Sequence, residues 1–175
     1  PMSARKLLVA NRGEIAARIF STCRRLGIGT VAAVGPGDEG AFHTRVADET
    51  VPVASYLDAD AIVAAAKEAG AELVHPGYGF LAENADFAQA VVDAGLTWVG
   101  PPPEALRRGG DKLEAKRIAA AAAVPTLPTG TADELGFPLL VKAAAGGGGR
   151  GMRVVEHAEE LEDALAAAAR EAETA

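Results

Sequence analysis

The sequence predicts an α/β protein, with a doubly wound, mostly parallel sheet of Rossmann-like form over residues 2–110 and a second, smaller unit that looks cut short. Three observations carry that prediction. Short apolar runs alternate with amphipathic stretches of about a dozen residues, the signature of repeated βαβ units. Glycines close the amphipathic stretches at Gly27, Gly70 and Gly95, as helix C-termini favour. After Gly100 the texture shifts to Pro101-Pro102-Pro103 and then to alanine-rich and glycine-rich chain, which marks a boundary.

Lys6–Ala10 (KLLVA) is a buried strand that stops at Asn11-Arg12-Gly13. Glu14–Leu26 carries apolar residues at Ile15, Ile19, Cys23 and Leu26, the spacing of one helix face. Thr30–Val34 reads as the second strand, ending at the loop Gly35–Gly40. A helix over Asp58–Ala69 and a strand over Glu72–His75 follow. Then come the loop Pro76–Phe80, a helix over Glu83–Ala94 and a strand over Thr97–Val99. A helix is expected from Asp111 to Ala123. The proline- and glycine-bearing stretch Val124–Pro138 reads as a connector with little regular structure. Leu139–Lys142 and Met152–Val155 read as two strands around the glycine-rich loop Ala143–Gly151, and His157–Ala172 as a final helix. A lone hairpin and helix make a poor core. The expected divisions are thus 2–110, a helix and connector over 111–137, and a partial subdomain over 138–175.

Composition narrows the function classes. The chain has 175 residues, 49% of them hydrophobic, but 40 are alanines, so close helix packing with short side chains is expected. Its net charge of −7 and 5% aromatic content argue against a nucleic-acid surface. The single cysteine, Cys23, has no internal disulfide partner, and the histidines at 43, 75 and 157 show no pairing with it. A reduced, zinc-free, cytoplasmic protein is expected. No apolar run of membrane-spanning length and no signal-peptide pattern is present, so no membrane partner is expected.

Two segments match G-x-G-x-x-G. Gly35-Pro36-Gly37-Asp38-Glu39-Gly40 follows a strand but sets two carboxylates where a pyrophosphate would sit, and it reads as a surface turn. Gly146-Gly147-Gly148-Gly149-Arg150-Gly151 is different. Its glycines allow close backbone approach to a ligand and Arg150 adds positive charge, whereas a purely structural hairpin would use a shorter, less flexible turn such as Asn-Gly. Lys142, at the strand end where this loop begins, is placed either to reach a phosphate or to sit in solvent. No Gly-Lys-Ser/Thr occurs, which excludes a P-loop, and a lysine that precedes the glycines excludes the protein-kinase order. Lys112, in the first turn of a helix, is poorly placed against the helix dipole. It is either solvated or relieved by an anion. His75-Pro76-Gly77-Tyr78-Gly79-Phe80 and Asn11-Arg12-Gly13-Glu14 both fall at the carboxyl edge of the predicted sheet, where ligands bind in such folds. The first is equally readable as a tight turn that packs Phe80.

Leu8–Ala16 (LVANRGEIA), His75–Asn84 (HPGYGFLAEN), Gly110-Asp111-Lys112 and Lys142–Val155 (KAAAGGGGRGMRVV) together resemble biotin carboxylase, the ATP-grasp component of biotin-dependent carboxylases. The resemblance runs in order from about Lys6 to Val155. It implies a pre-ATP-grasp α/β domain followed by a truncated ATP-grasp lid. It also implies a ligase reaction in which ATP and bicarbonate give carboxyphosphate and ADP, and the carboxyl group passes to biotin on a carrier domain. On this resemblance, Lys112 and Lys142 hold the ATP phosphates. Gly146, Gly147, Gly148, Gly149, Arg150 and Gly151 form the lid loop, Met152 lies against adenine, and Tyr78 is a biotin-side contact. It implies as partners a biotin carboxyl carrier domain, a carboxyltransferase component, bicarbonate and a second copy of the chain, within acyl-CoA and fatty acid metabolism. The ligands for Mg2+, and the lysine and arginines for bicarbonate and biotin, are expected from sequence beyond Ala175, so these 175 residues alone are expected not to turn over ATP. Two alternatives stand beside it: another ATP-grasp carboxylate ligase, and a non-catalytic assembly module using the helix Glu14–Leu26.

Overall fold

A computed structural model describes residues 5–110, 112–142 and 152–173, with the backbone only at 112, 113 and 171–173. The chain forms two compact units, Pro1–Asp111 and Lys112–Ala175.

The first unit is built on a five-stranded sheet of order β3-β2-β1-β4-β5. Its strands are β1 (Lys6–Val9), β2 (Gly29–Val34), β3 (Glu49–Pro52), β4 (Leu73–His75) and β5 (Thr97–Trp98), and every pairing is parallel. Helices α1 (Gly13–Arg25), α2 (Phe42–Val46), α3 (Ala59–Glu68) and α4 (Ala85–Asp93) connect successive strands, and α5 (Pro103–Gly110) closes the unit. Strand alternation sorts the core into two layers. Leu8, Val31, Ala33 and Val74 pack with Ile62, Phe87 and Val91 on one side of the sheet. Leu7, Val9 and Ala32 pack with Ala16, Phe20 and Cys23 on the other. The sheet is covered on both sides, as a doubly wound fold requires.

The helices start where the local chemistry allows. Asp58 caps α3 by accepting from Ala61 N at 2.9 Å, and Asn84 caps α4 by accepting from Phe87 N at 2.9 Å. Each satisfies a backbone donor the helix leaves unpaired. In α1, Glu14 in the first turn and Arg24 and Arg25 in the last complement the helix dipole.

Two expectations are corrected, and one stretch left without a reading proves to be ordered. The buried stripe of α1 runs through Ala16, Phe20 and Cys23, whereas Leu26 is 67% exposed because the helix ends at Arg25. Between Gly40 and Asp58, a stretch without clear periodicity, lie α2 and β3; β3 is an edge strand with only Val51 buried, so alternation is hard to see there. The connector 124–138 contains a helical turn, α7 (Ala132–Leu135), set by the Thr131–Glu134 capping box.

The second unit contains α6 (Lys112–Ala121), α7, the strands β6 (Leu139–Val141) and β7 (Arg153–Val155), and α8 (Leu161–Glu173). The two strands pair antiparallel, with Leu140 opposite Val154. Val141 and Val155 pack on Ala164 and Ala168, so α8 covers one face of the hairpin.

Candidate functional site

In the order β3-β2-β1-β4-β5, chain connections diverge on either side of the β1–β4 pair. The crevice beyond the carboxyl ends of those two strands is where open α/β sheets bind ligands. Asn11 lies just past β1 and Pro76–Tyr78 just past β4, and the structure joins them. Asn11 is fully buried. Its Nδ2 donates to Pro76 O and to Tyr78 O, each at 2.8 Å, and its Oδ1 accepts from Arg12 N at 2.9 Å. Gly77, at φ +68°, lies so close that a Cβ there would come within 2.5 Å of Asn11 Nδ2. His75 ends β4, and its Nδ1 accepts from Gly77 N at 2.9 Å, which places the proton of the neutral ring on Nε2. Burial holds the His75 pKa below its ordinary value. Tyr78 itself is 69% exposed, so its backbone is held while its ring faces solvent.

A second cluster braces the same loop from the side. Tyr56, buried, stacks on Phe80 with ring centroids 5.2 Å apart. Phe80 has φ +44°, a left-handed conformation that a bulky side chain rarely adopts. The Tyr56 hydroxyl accepts from Gly35 N at 3.0 Å and donates to Asp38 Oδ2 at 3.0 Å. Ala33 O and His43 Nε2 lie within 3.5 Å of it. Asp38 also pairs with Arg12 at 3.3 Å. Desolvation, and then the Asp38 carboxylate, push the Tyr56 phenol up to about 12. The Gly35–Gly40 segment is therefore no plain surface turn: Asp38 is buried and faces a phenol and a guanidinium. Its carboxylate would still repel a pyrophosphate, but it also has a structural task that its spacing does not reveal.

In the second unit, Lys142 directly follows β6 and Met152 directly precedes β7. Because Val141 pairs with Arg153, both sit at the same end of the hairpin, and both are exposed. Lys112 is the first residue of α6. Gly146, Gly147, Gly148, Gly149, Arg150 and Gly151 lie outside the described residues. Among the described residues, no group of three His, Cys, Asp or Glu side chains could hold a metal ion, and no helix is long and apolar enough to cross a membrane.

Residues 3–106 match the family model for the biotin carboxylase N-terminal domain. The chain belongs to the biotin carboxylase family. Residues 111–175 of this family member match the ATP-binding domain of the carbamoyl-phosphate synthase L chain. The mitochondrial methylcrotonoyl-CoA carboxylase subunit alpha of Oryza sativa subsp. japonica is 50% identical over 95% of this chain and 25% of its own. Biotin carboxylase of Campylobacter jejuni, solved as a β-γ-ATP complex, superposes with TM-score 0.93 at 38% identity, covering 99% of this chain and 43% of that one. The biotin carboxylase domain dimer of Hydrogenobacter thermophilus 2-oxoglutarate carboxylase, solved with MgADP, ADP and bicarbonate, gives TM-score 0.88 at 42% identity over 97% of this chain and 42% of that one. The chain thus spans a quarter to about two-fifths of the length of these biotin carboxylase relatives.

The motifs that carry the family resemblance single out Tyr78, Lys112, Lys142 and Met152, and one of them contains Asn11 at the sheet edge, but the bracing contacts of Asn11, Asp38 and Tyr56 are not readable from them. Asn11 sits at a strand end beside a glycine, where a buried amide bonding to backbone is always open. Tyr56 lies in an irregular stretch with no local signal.

Proposed function

We propose that this chain is the N-terminal part of the biotin carboxylase component of a biotin-dependent acyl-CoA carboxylase. The observation that carries the proposal is the family match running in order through both units, residues 3–106 and 111–175. The proposed divisions are the α/β domain 2–110, the helix and connector 111–137, and the partial ATP-grasp lid 138–175.

In the proposed reaction a bicarbonate oxygen attacks the γ-phosphorus of ATP. The bond to the bridging oxygen breaks, and ADP leaves with the electron pair. A ureido nitrogen of biotin then bonds to the carboxyl carbon of carboxyphosphate as the C–O bond to phosphate breaks, and the departing inorganic phosphate takes up the ureido N–H proton. Catalysis of phosphoryl transfer is chiefly positioning and charge neutralisation. Lys142 and Lys112 supply fixed cations for the phosphates. Gly146, Gly147, Gly148, Gly149, Arg150 and Gly151 are assigned to the same phosphates by the family resemblance, and Met152 to adenine. Magnesium, when bound, neutralises further phosphate charge, and its ligands are assigned to no residue of this chain. Tyr78, on the β1–β4 crevice, faces biotin. The MgADP and bicarbonate in the Hydrogenobacter thermophilus structure support the nucleotide, metal and bicarbonate assignments. The same reading includes a biotin carboxyl carrier domain, a carboxyltransferase, a homo-oligomeric state, and a cytoplasmic place in fatty acid metabolism.

The test is ADP release by the full-length carboxylase carrying this sequence, with bicarbonate, with and without free biotin. Release that needs bicarbonate and rises with biotin is expected. Release driven by a different carboxylate, indifferent to biotin, would make the protein another ATP-grasp ligase.

A further inference from the structure

We infer that Asn11 is a positioning residue for biotin, acting through the backbone of Tyr78. The inference rests on the proposal above that Tyr78 faces biotin. Asn11 is fully buried, and both of its Nδ2 protons are committed to the loop after β4, at Pro76 O and Tyr78 O. Gly77–Tyr78–Gly79–Phe80 is half-buried to exposed, so water could satisfy the Tyr78 carbonyl. What a buried amide adds there is fixed geometry, obtained at the desolvation cost of placing an amide in the interior.

The loop needs that geometry imposed. Gly77 and Gly79 both have φ +68° and Phe80 has φ +44°, so three of its four residues lie in the left-handed region, and a non-glycine residue there persists only when its surroundings hold it. Asn11 holds one end of the loop and the Tyr56 ring holds the other. Between the two anchors, Tyr78 is 69% exposed at the crevice where such folds bind ligands. Asn11 reaches no ligand itself, being sealed beneath Gly77, where a Cβ would lie 2.5 Å from Nδ2 and 2.8 Å from Cγ. It therefore acts on binding only through the loop.

The experiment uses the full-length carboxylase carrying this sequence, with steady-state turnover read against ATP and against free biotin. Asn11→Asp keeps the volume but turns an acceptor toward two carbonyl oxygens, and Gly77→Ala strikes the same contact from the loop side. Both are expected to raise the KM for biotin about tenfold while the KM for ATP stays within about twofold. The double variant should cost less than the product of the two singles, because both break one contact. Thermal unfolding separates folded from unfolded variants, and Gly77→Ala, which leaves the buried amide in place, decides the matter if Asn11→Asp does not fold. Slow exchange of the Asn11 Nδ2 protons is also expected in the parent protein. A folded variant with unchanged biotin KM, or Nδ2 protons exchanging like those of an exposed amide, would overturn the inference. A parent protein whose turnover ignores biotin would instead overturn the proposed function.

Discussion

The Tyr56 hydroxyl lies 3.0 Å from Oδ2 of Asp38, so a phenol and a carboxylate from two different loop segments meet in the interior of the first unit. The same hydroxyl accepts from Gly35 N, and Asp38 reaches outward to Arg12. Through these bonds the loops after β1, β2 and β3 are tied together beside the β1–β4 crevice.

Removing only the hydroxyl tests that tie. Tyr56→Phe leaves the stack on Phe80 but strands the Gly35 N–H and one face of Asp38. A buried polar group left without its partner costs about 1–3 kcal/mol, and that loss is expected in urea denaturation, with an unchanged dependence on urea concentration.

Alkali should act through the same phenol. Its folded pKa of about 12 lies above the ordinary 10, so the folded state binds the proton more tightly than the unfolded state. The associated stability is complete below pH 10 and is lost as the pH rises toward 12. Denaturation midpoints across that range should fall in the parent protein, and by a smaller amount in Tyr56→Phe.

His75 gives the acid counterpart. Burial depresses its pKa below 6.5, so the unfolded state takes the proton first. Stability is full above pH 6.5 and declines as the pH falls through the folded pKa, where protonation of Nδ1 also opposes the Gly77 N–H. Denaturation at stepped pH below 6.5 should show this decline, and His75→Gln should flatten it.

Gly35 is a packing limit as well as a hydrogen-bond donor. A Cβ there would come within 2.6 Å of Tyr56 Cε2, and the ring is held by Phe80 and its own hydroxyl. Gly35→Ala should therefore destabilise by about 1–3 kcal/mol. Adding Tyr56→Ala should relieve part of that clash, so the two changes should sum to less than their separate effects.

The parallel sheet was legible because each buried strand is a short apolar run and each long helix repeats its apolar positions, as in Lys6–Val9 and Ala59–Glu68. The edge strand Glu49–Pro52 and the five-residue helix Phe42–Val46 were not, because neither is long enough or buried enough to impose a period. The motifs around Lys142, Lys112 and Tyr78 stand out because lysines, glycines and aromatics cluster there. Asn11 and Asp38 fall within singled-out segments and Tyr56 in none, but the tasks of all three stay hidden: their partners are backbone groups and side chains distant in sequence, such as Asn11 with Pro76 or Tyr56 with Phe80, and only the folded chain brings them together.

Transfer of labelled carbon from bicarbonate to free biotin by the full-length carboxylase carrying this sequence tests the central claim most directly. ATP-dependent labelling of biotin, reduced roughly a hundredfold by Lys142→Ala, is the predicted result. Unlabelled biotin in the presence of ATP, magnesium and bicarbonate, from a folded protein that still hydrolyses ATP, would contradict it.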